Sequence, residues 1–285
     1  MMNQHSGAKS HLFSGGPHIM GVVNVTPDSF SDGGKYINPD KAIEHGLRLL
    51  HEGASILDVG GESTRPGAEP VDIEEEIRRV VPVIEGLRPY TDQISIDSRN
   101  AKVMEAALRA GATIINDISA LSYDSRSVGV VAEAQGPVFF MHSKGNPQSM
   151  QENPFYNNVV EEVFEYLQRR ISFFETNRIE VHRLVSDPGI GFGKTLEHNL
   201  LLLRNIKKFH DLGVPVMLGI SRKSFIARLS EGEPAHDRIP GSIAAALWGL
   251  SQDVQFYRVH DVAETKQAFK IYQAIKGTEI KDVQV

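Results

Sequence analysis

Cysteine is absent from the 285 residues. That excludes disulfides, thiolate metal sites and a Cys nucleophile. Also missing is any apolar run near the roughly 20 residues that a membrane helix needs. Neither sign of charge is in large excess: 30 Lys and Arg stand against 36 Asp and Glu, a net −6. A mildly acidic chain is a poor default partner for nucleic acid or an anionic membrane, though it leaves room for a local basic pocket that takes a small anion. The first residues, MMNQHSGAKSHLFSGGPH, lack the apolar centre of a signal peptide. The expectation is a cytoplasmic protein with a flexible arm over 1–18 and a single domain over 19–285. No low-complexity tract or long linker divides that domain. Its 41% hydrophobic and 23% charged residues are the ordinary balance of a folded chain.

What is present is an alternation. Short apolar runs, partly β-branched, occupy 19–25, 55–59, 93–97, 113–116, 138–141, 184–187, 216–219 and 255–259. They read as parallel strands buried on both faces. Helix patterns occupy 39–52, 72–88, 101–109, 126–134, 159–177, 196–210, 239–250 and 261–275. Asn38-Pro39 and Ser98 read as helix starts, and Gly53, Gly111 and Gly213 sit just past helix ends. Eight strand–helix pairs are the arithmetic of an α/β (β/α)8 TIM barrel, which takes roughly 250 residues. An open doubly wound sheet shares the alternation and is the rival fold. Eight pairs without a compositional break favour the barrel.

In such a barrel the active site lies at the C-terminal ends of the strands. Polar groups end nearly every apolar run: Asn24, Asp58 (with Thr64 and Arg65 beyond it), Asp97, Asn116, Met141-His142, Asp187, Lys223 after the seventh run, and Arg258 with His260 in the eighth. Singly, each has a plain reading. An Asp or Asn after a strand often caps the next helix or shapes a turn. Asp58, followed by glycines, reads as structural, and His142 and His260 read as polar surface. Jointly they converge on one mouth. An ionised Asp accepts two hydrogen bonds from a guanidine-like edge, and Asn offers both donor and acceptor, which suits a flat heterocycle. Arg65, Arg258 and His260 supply donors for a phosphate-type anion. Asn24 offers a neutral oxygen suited to Mg2+ held mainly by substrate phosphates and water. A polyanion beside a heterocycle points to a diphosphate leaving group. The string PGIGFGKT at 188–195 is not a P-loop, because Pro188 stands where that loop needs glycine. Its glycines read as tight turns at the mouth.

Together, VNVTPDSFSDGG at 23–34, DVGGESTRPGA at 58–68, DPGIGFGK at 187–194, SRKS at 221–224 and RVHDV at 258–262 resemble the dihydropteroate synthase family in order and spacing, from residue 19 to near 275. The resemblance implies a TIM barrel, a homodimer, a Mg2+ requirement and a sulfonamide target. It implies condensation of 6-hydroxymethyl-7,8-dihydropterin diphosphate with 4-aminobenzoate, giving 7,8-dihydropteroate and pyrophosphate. By motif, Asp187 resembles the partner of the pterin 2-amino and N3–H edge, with Asp97 and Asn116 on the rest of the ring. Lys223 resembles the contact to the ring oxygen and nitrogen, and Met141 packs on the ring. Thr64, Arg65, Arg258 and His260 resemble the diphosphate pocket, and Asn24 the Mg2+ ligand. Phe30, Pro66, Phe192 and Ser224 resemble the aminobenzoate site. Asp32 resembles a carboxylate that closes near the reacting carbon, so the catalytic set is Asp32, Lys223, Arg258 and His260.

Two departures from the family pattern stand out. Ser143-Lys144 replaces a Met-Gln or similar pair, in a solvent-side loop where little chemical effect is expected. VQFYRVHDV at 254–262 opens with polar and aromatic residues where aliphatic ones are usual, which puts the packing of the last strand in question. Two rival functions stay open: a relative that keeps the pterin pocket without condensing aminobenzoate, and a pterin-binding methyltransferase domain. Product formation from the two substrates separates them.

Overall fold

The computed structural model describes residues 16–26, 38–63, 68–145 and 150–277. Among them the strands are β1 (His18–Asn24), β2 (Ile56–Gly60), β3 (Ile94–Asp97), β4 (Ile114–Asp117), β5 (Val138–Met141), β6 (Leu184–Asp187), β7 (Met217–Gly219) and β8 (Phe256–Val259). The helices are α1 (Pro39–Glu52), α2 (Ile73–Leu87), α3 (Ala101–Ala110), α4 (Ser127–Glu133), α5 (Val159–Thr176), α6 (Leu196–Arg204), α7 (Ser224–Leu229), α8 (Ile239–Ser251) and α9 (Val262–Gly277). The sheet runs β6-β5-β4-β3-β2-β1-β8-β7, and its pairings are parallel. A bridge between Ser186 and Val216 joins its two ends, and the Ser186 N–H donates to Pro215 O at 2.9 Å. The order closes on itself as a nearly complete eight-stranded barrel, which rules out the open sheet. No helix of the described residues is long and apolar enough to cross a membrane.

Local chemistry sets the boundaries. Asn38 caps α1 by accepting the Asp40 N–H at 2.9 Å, ahead of Pro39 in the first turn. Gly53 and Gly111 end α1 and α3 in the left-handed region, at φ 108° and 117°. Ser98 does not cap α3. The N-cap is Asn100, and the Ser98 hydroxyl accepts the Asn100 N–H at 3.2 Å, so Ser98 shapes the turn ahead of the helix. The single helix expected over 196–210 is broken. Asn205 leaves helical geometry (φ −104°, ψ 19°) and its Nδ2 takes the Leu201 carbonyl at 2.8 Å, after which Ile206–Leu212 continues as 3-10 helix. Helix α7 has no counterpart among the predicted elements, because six residues are too few to show a helical period.

Two apolar layers result. One lies between the strands and the surrounding helices. The other fills the barrel lumen with Met20, Ile56, Ile114, Phe139, Val185, Met217 and Phe256. The unusual last strand packs through its aromatics. Phe256 meets Phe139 edge-on at 5.1 Å in the lumen, while Tyr257 faces outward, edge-on to Phe269 at 4.7 Å. The Tyr257 hydroxyl donates to Val254 O at 3.1 Å, so its burial strands no polar group. Gln255 Oε1 accepts the Val216 N–H at 2.8 Å, and its polarity serves the β7–β8 junction.

Candidate active site

A strand places every second side chain on one face. Two residues beyond lumen residues Ile56, Ile114, Val185 and Phe256 come Asp58, Asn116, Asp187 and Arg258, and Asp97 follows Ser95 in the same way. The polar ring is therefore the register of the apolar plug carried one step toward the strand ends. It opens into a cleft of about 50 Å³, lined by Asn116, Ile118, Met141, Asp187, Phe192, Met217, Gly219, Ser221, Lys223, Arg258 and His260.

Asp187 ends β6, almost wholly buried. Its Oδ1 accepts the Gly189 N–H at 2.7 Å. Burial pushes its carboxyl above the usual range, opposed by that N–H and by the charges of Lys223, Lys194 and Arg258. Lys223 lies on the loop after β7. Its ammonium donates to Ile190 O at 2.5 Å and sits 4.1 Å over the Phe192 ring. Burial lowers its pKa to about 8, against the pull of Asp187. The turn that presents Lys223 needs Arg222 at φ 58°, a conformation disfavoured for an L side chain. It is held by a two-point ion pair from the Arg222 guanidinium to Asp261, at 3.0 and 2.5 Å.

Arg258 is gripped by two carboxylates. Its Nε donates to Asp58 Oδ2 at 2.6 Å and its Nη2 to Asp97 Oδ2 at 2.7 Å. Asn116 Nδ2 also donates to Asp58 Oδ2, at 3.1 Å, which leaves the carboxamide oxygen as the atom turned to other partners. Burial drives the Asp97 carboxyl upward, opposed by Arg258 and reinforced by Asp58, Asp117 and Glu76. His260 is half-buried, with its ring Nδ1 at 3.1 Å and its backbone N–H at 3.2 Å from the Ser221 hydroxyl. That hydroxyl orients the imidazole so that Nε2 is its other polar atom.

The 187–194 loop is tied down from behind. Gly189, Gly191 and Gly193 all have positive φ, as the tight-turn reading requires. Lys194, 1% exposed, donates its ammonium to Phe192 O at 3.0 Å and His142 O at 3.3 Å, and lies 3.0 Å from His142 Nδ1. His142 is thus not polar surface. It is 5% exposed, and burial with the nearby Lys194 charge lowers its pKa to about 2.

Of the residues singled out from sequence, Asn116, Met141, Asp187, Phe192, Lys223, Arg258 and His260 share the cleft. Asp97 lies against Arg258, and Asn24 is half-buried at the end of β1. Ser224 does not join them. It is exposed at the first position of α7, because the helix start turns it away. Phe30, Asp32, Thr64, Arg65 and Pro66 lie outside the described residues. Sequence reasoning missed the work of Asp58, Ser221 and Lys194. For Asp58 the signal was its place two residues beyond Ile56. For Ser221 and Lys194 there was only membership of SRKS and GFGK.

The chain matches the family described as pterin binding enzyme over residues 20–260. Dihydropteroate synthase of Haemophilus influenzae is 44% identical over 259 residues, 90% of this chain and 94% of the relative. A solved dihydropteroate synthase of Yersinia pestis in complex with a sulfonamide drug superposes with a TM-score of 0.87 at 41% identity, covering 92% of this chain and 95% of that one. The Xanthomonas albilineans dihydropteroate synthase in complex with 7,8-dihydropteroate superposes with a TM-score of 0.84 at 43% identity, covering 92% and 95%. A barrel whose strand ends gather this set of groups, and which aligns nearly end to end with these proteins, belongs to the pterin binding enzyme family and, within it, to the dihydropteroate synthases.

Proposed function

We propose that the chain joins 6-hydroxymethyl-7,8-dihydropterin diphosphate to 4-aminobenzoate, releasing pyrophosphate and forming 7,8-dihydropteroate. One observation carries the reading: the buried Asp187 carboxylate faces a cleft that it shares with Asn116, Lys223 and Arg258. Asp187 accepts from the 2-amino and N3–H edge of the pterin, a charge-assisted pair. Asn116 and Asp97 meet the rest of the ring, Lys223 donates to its oxygen and nitrogen, and Met141 packs on its face. Arg258 flanks the ring and, with His260, Thr64 and Arg65, faces the diphosphate. The methylene C–O bond breaks and pyrophosphate leaves with the electron pair. Cations placed where that charge grows lower the barrier. Asp32 stabilises the positive methylene, the amine of 4-aminobenzoate forms the new C–N bond, and the amine proton is lost to water. Phe30, Pro66, Phe192 and Ser224 receive the aminobenzoate, Ser224 from the rim.

The donor chemistry fits Mg2+ only as a cation shared with substrate. Asn24 contributes one neutral carboxamide oxygen, and among the described residues no group of three or more His, Asp or Glu stands ready to hold a metal. An ion held there by Asn24 and the substrate would supply charge neutralisation for the leaving diphosphate. The same reading carries a single pterin-binding domain in a cytoplasmic homodimer; its first strand already includes His18, one residue before the expected boundary, and residues 1–15 of the expected arm lie outside the described residues. The test is incubation with both substrates and Mg2+, with pyrophosphate release and dihydropteroate followed together. Their joint appearance supports the condensation. Tight pterin binding without either product moves the chain to a binding role.

A further inference from the structure

The Asp58 carboxylate is completely buried at the centre of β2, does not line the cleft, and yet touches two groups that do. A single oxygen, Oδ2, accepts from Arg258 Nε at 2.6 Å and from Asn116 Nδ2 at 3.1 Å. These donors come from β8 and β4, on either side of the barrel mouth. The other oxygen, Oδ1, is buried with no hydrogen-bond partner. A carboxylate with one bare oxygen in a barrel interior is a poor device for stability, because an apolar residue of similar volume avoids the desolvation cost. Its oxygen instead fixes two orientations. Asp97 holds one terminal nitrogen of Arg258, but a second anchor at Nε is needed to fix the plane of the guanidinium, and Asn116 can present either end of its carboxamide to a ligand unless its NH2 is taken.

We propose that Asp58 is a positioning residue of the pterin site, holding the Arg258 guanidinium against the ring position and turning the Asn116 carboxamide oxygen toward the ligand. This rests on the pterin reading above and adds a residue to it that makes no ligand contact. Asp58 also acts at a distance on Asp97. That carboxylate is faced by Arg258 from β8, Asp58 from β2, Asp117 from β4 and Glu76 from α2, and Asp58 is among the charges that disfavour its ionisation. Asp58 therefore has an electrical signature as well as a geometric one.

The test uses the full chain carrying Asp58→Asn, which keeps volume and one oxygen but removes the charge. Binding of 6-hydroxymethylpterin is measured by calorimetry across pH, and KM for 4-aminobenzoate by turnover. The expected result is a pterin Kd raised tenfold or more, a 4-aminobenzoate KM within twofold of the parent, and an acid-side loss of pterin binding that moves to lower pH. Asn116→Ala and the double variant complete a cycle. If Asp58 acts partly through Asn116, the second change costs less in the presence of the first. A folded Asp58→Asn protein with parental pterin affinity and an unmoved pH profile overturns the proposal, as does strict additivity in the cycle. A parent protein that binds no pterin overturns the functional reading itself, and with it this inference.

Discussion

Lys223 sets the pH dependence expected of the site. Its ammonium is held close to neutrality by burial, with a pKa of about 8, and Asp187 works against that depression. The group is a cation below that value and a neutral amine above it, so its contribution to pterin recognition falls as pH rises through about 8. Turnover against pH should show an alkaline limb with that midpoint. Lys223→Arg stays protonated at every accessible pH, so the limb should vanish while activity drops overall through altered reach. A limb that persists unchanged in the variant assigns it to another group. Asp187→Asn should weaken pterin binding by about 2 kcal/mol or more, because a charge-assisted pair becomes a neutral one and an NH2 now faces ring donors. Calorimetry with an unaltered affinity would remove Asp187 from the ring edge. Both residues were legible in the sequence, since each ends or follows an apolar run in a repeating pattern. Asp58 was legible only as a lumen-side carboxylate two residues beyond Ile56, and its role was not. Its main partner, Arg258, lies 200 positions away, and local sequence carries no mark of which carboxylate a distant guanidinium will choose.

At the scale of elements, the regular parts of the chain were readable and the short irregular ones were not. Seven of the eight helix patterns lie within a residue or two of the observed elements, because buried faces repeat with a helical period over ten residues or so. The failures share one cause. In the 196–210 pattern, at Ser98 and in α7, a side chain or a six-residue stretch outweighs the period. The loop after β6 makes the same point about glycine. Gly189 has φ 71°, and a Cβ there would stand 1.9 Å from His142 O; Gly213 has φ 74° with open space around it. Both positions carry the left-handed penalty of about 1–2 kcal/mol for an added Cβ, but only the first adds a backbone collision. Gly189→Ala should therefore lose appreciably more stability in urea unfolding than Gly213→Ala. It should also weaken pterin binding, because the Gly189 N–H that steadies Asp187 moves. Gly213→Ala should bind pterin normally. Equal losses in the two variants would mean that the loop yields around the new methyl group.

At the scale of the whole molecule, the barrel is unevenly sewn. β1 and β2 share five register pairs, from Met20–Ile56 to Asn24–Gly60. β6 and β7 meet through the Ser186–Val216 bridge, with Pro215 as the carbonyl that receives the Ser186 N–H. The site straddles that seam: Asp187 ends β6, while Gly219 ends β7 and leads to Lys223. A pterin held by both sides adds the cross-seam contacts that the strands lack, so binding and closure are one equilibrium seen from two ends. Hydrogen exchange should find the Ser186 amide less protected than the β1–β2 amides in the unliganded protein, since a thinly paired strand opens below the global unfolding free energy. Pterin at a hundred times its Kd raises global stability by about 2.7 kcal/mol through linkage. Protection at the seam should rise by up to that same amount, the ceiling for any opening that abolishes binding, while local openings elsewhere that leave the site intact should gain less. Uniform protection around the barrel before ligand, or a ligand effect spread evenly over all strands, would show that the seam is already as firm as the rest and that the pterin finds a finished cylinder.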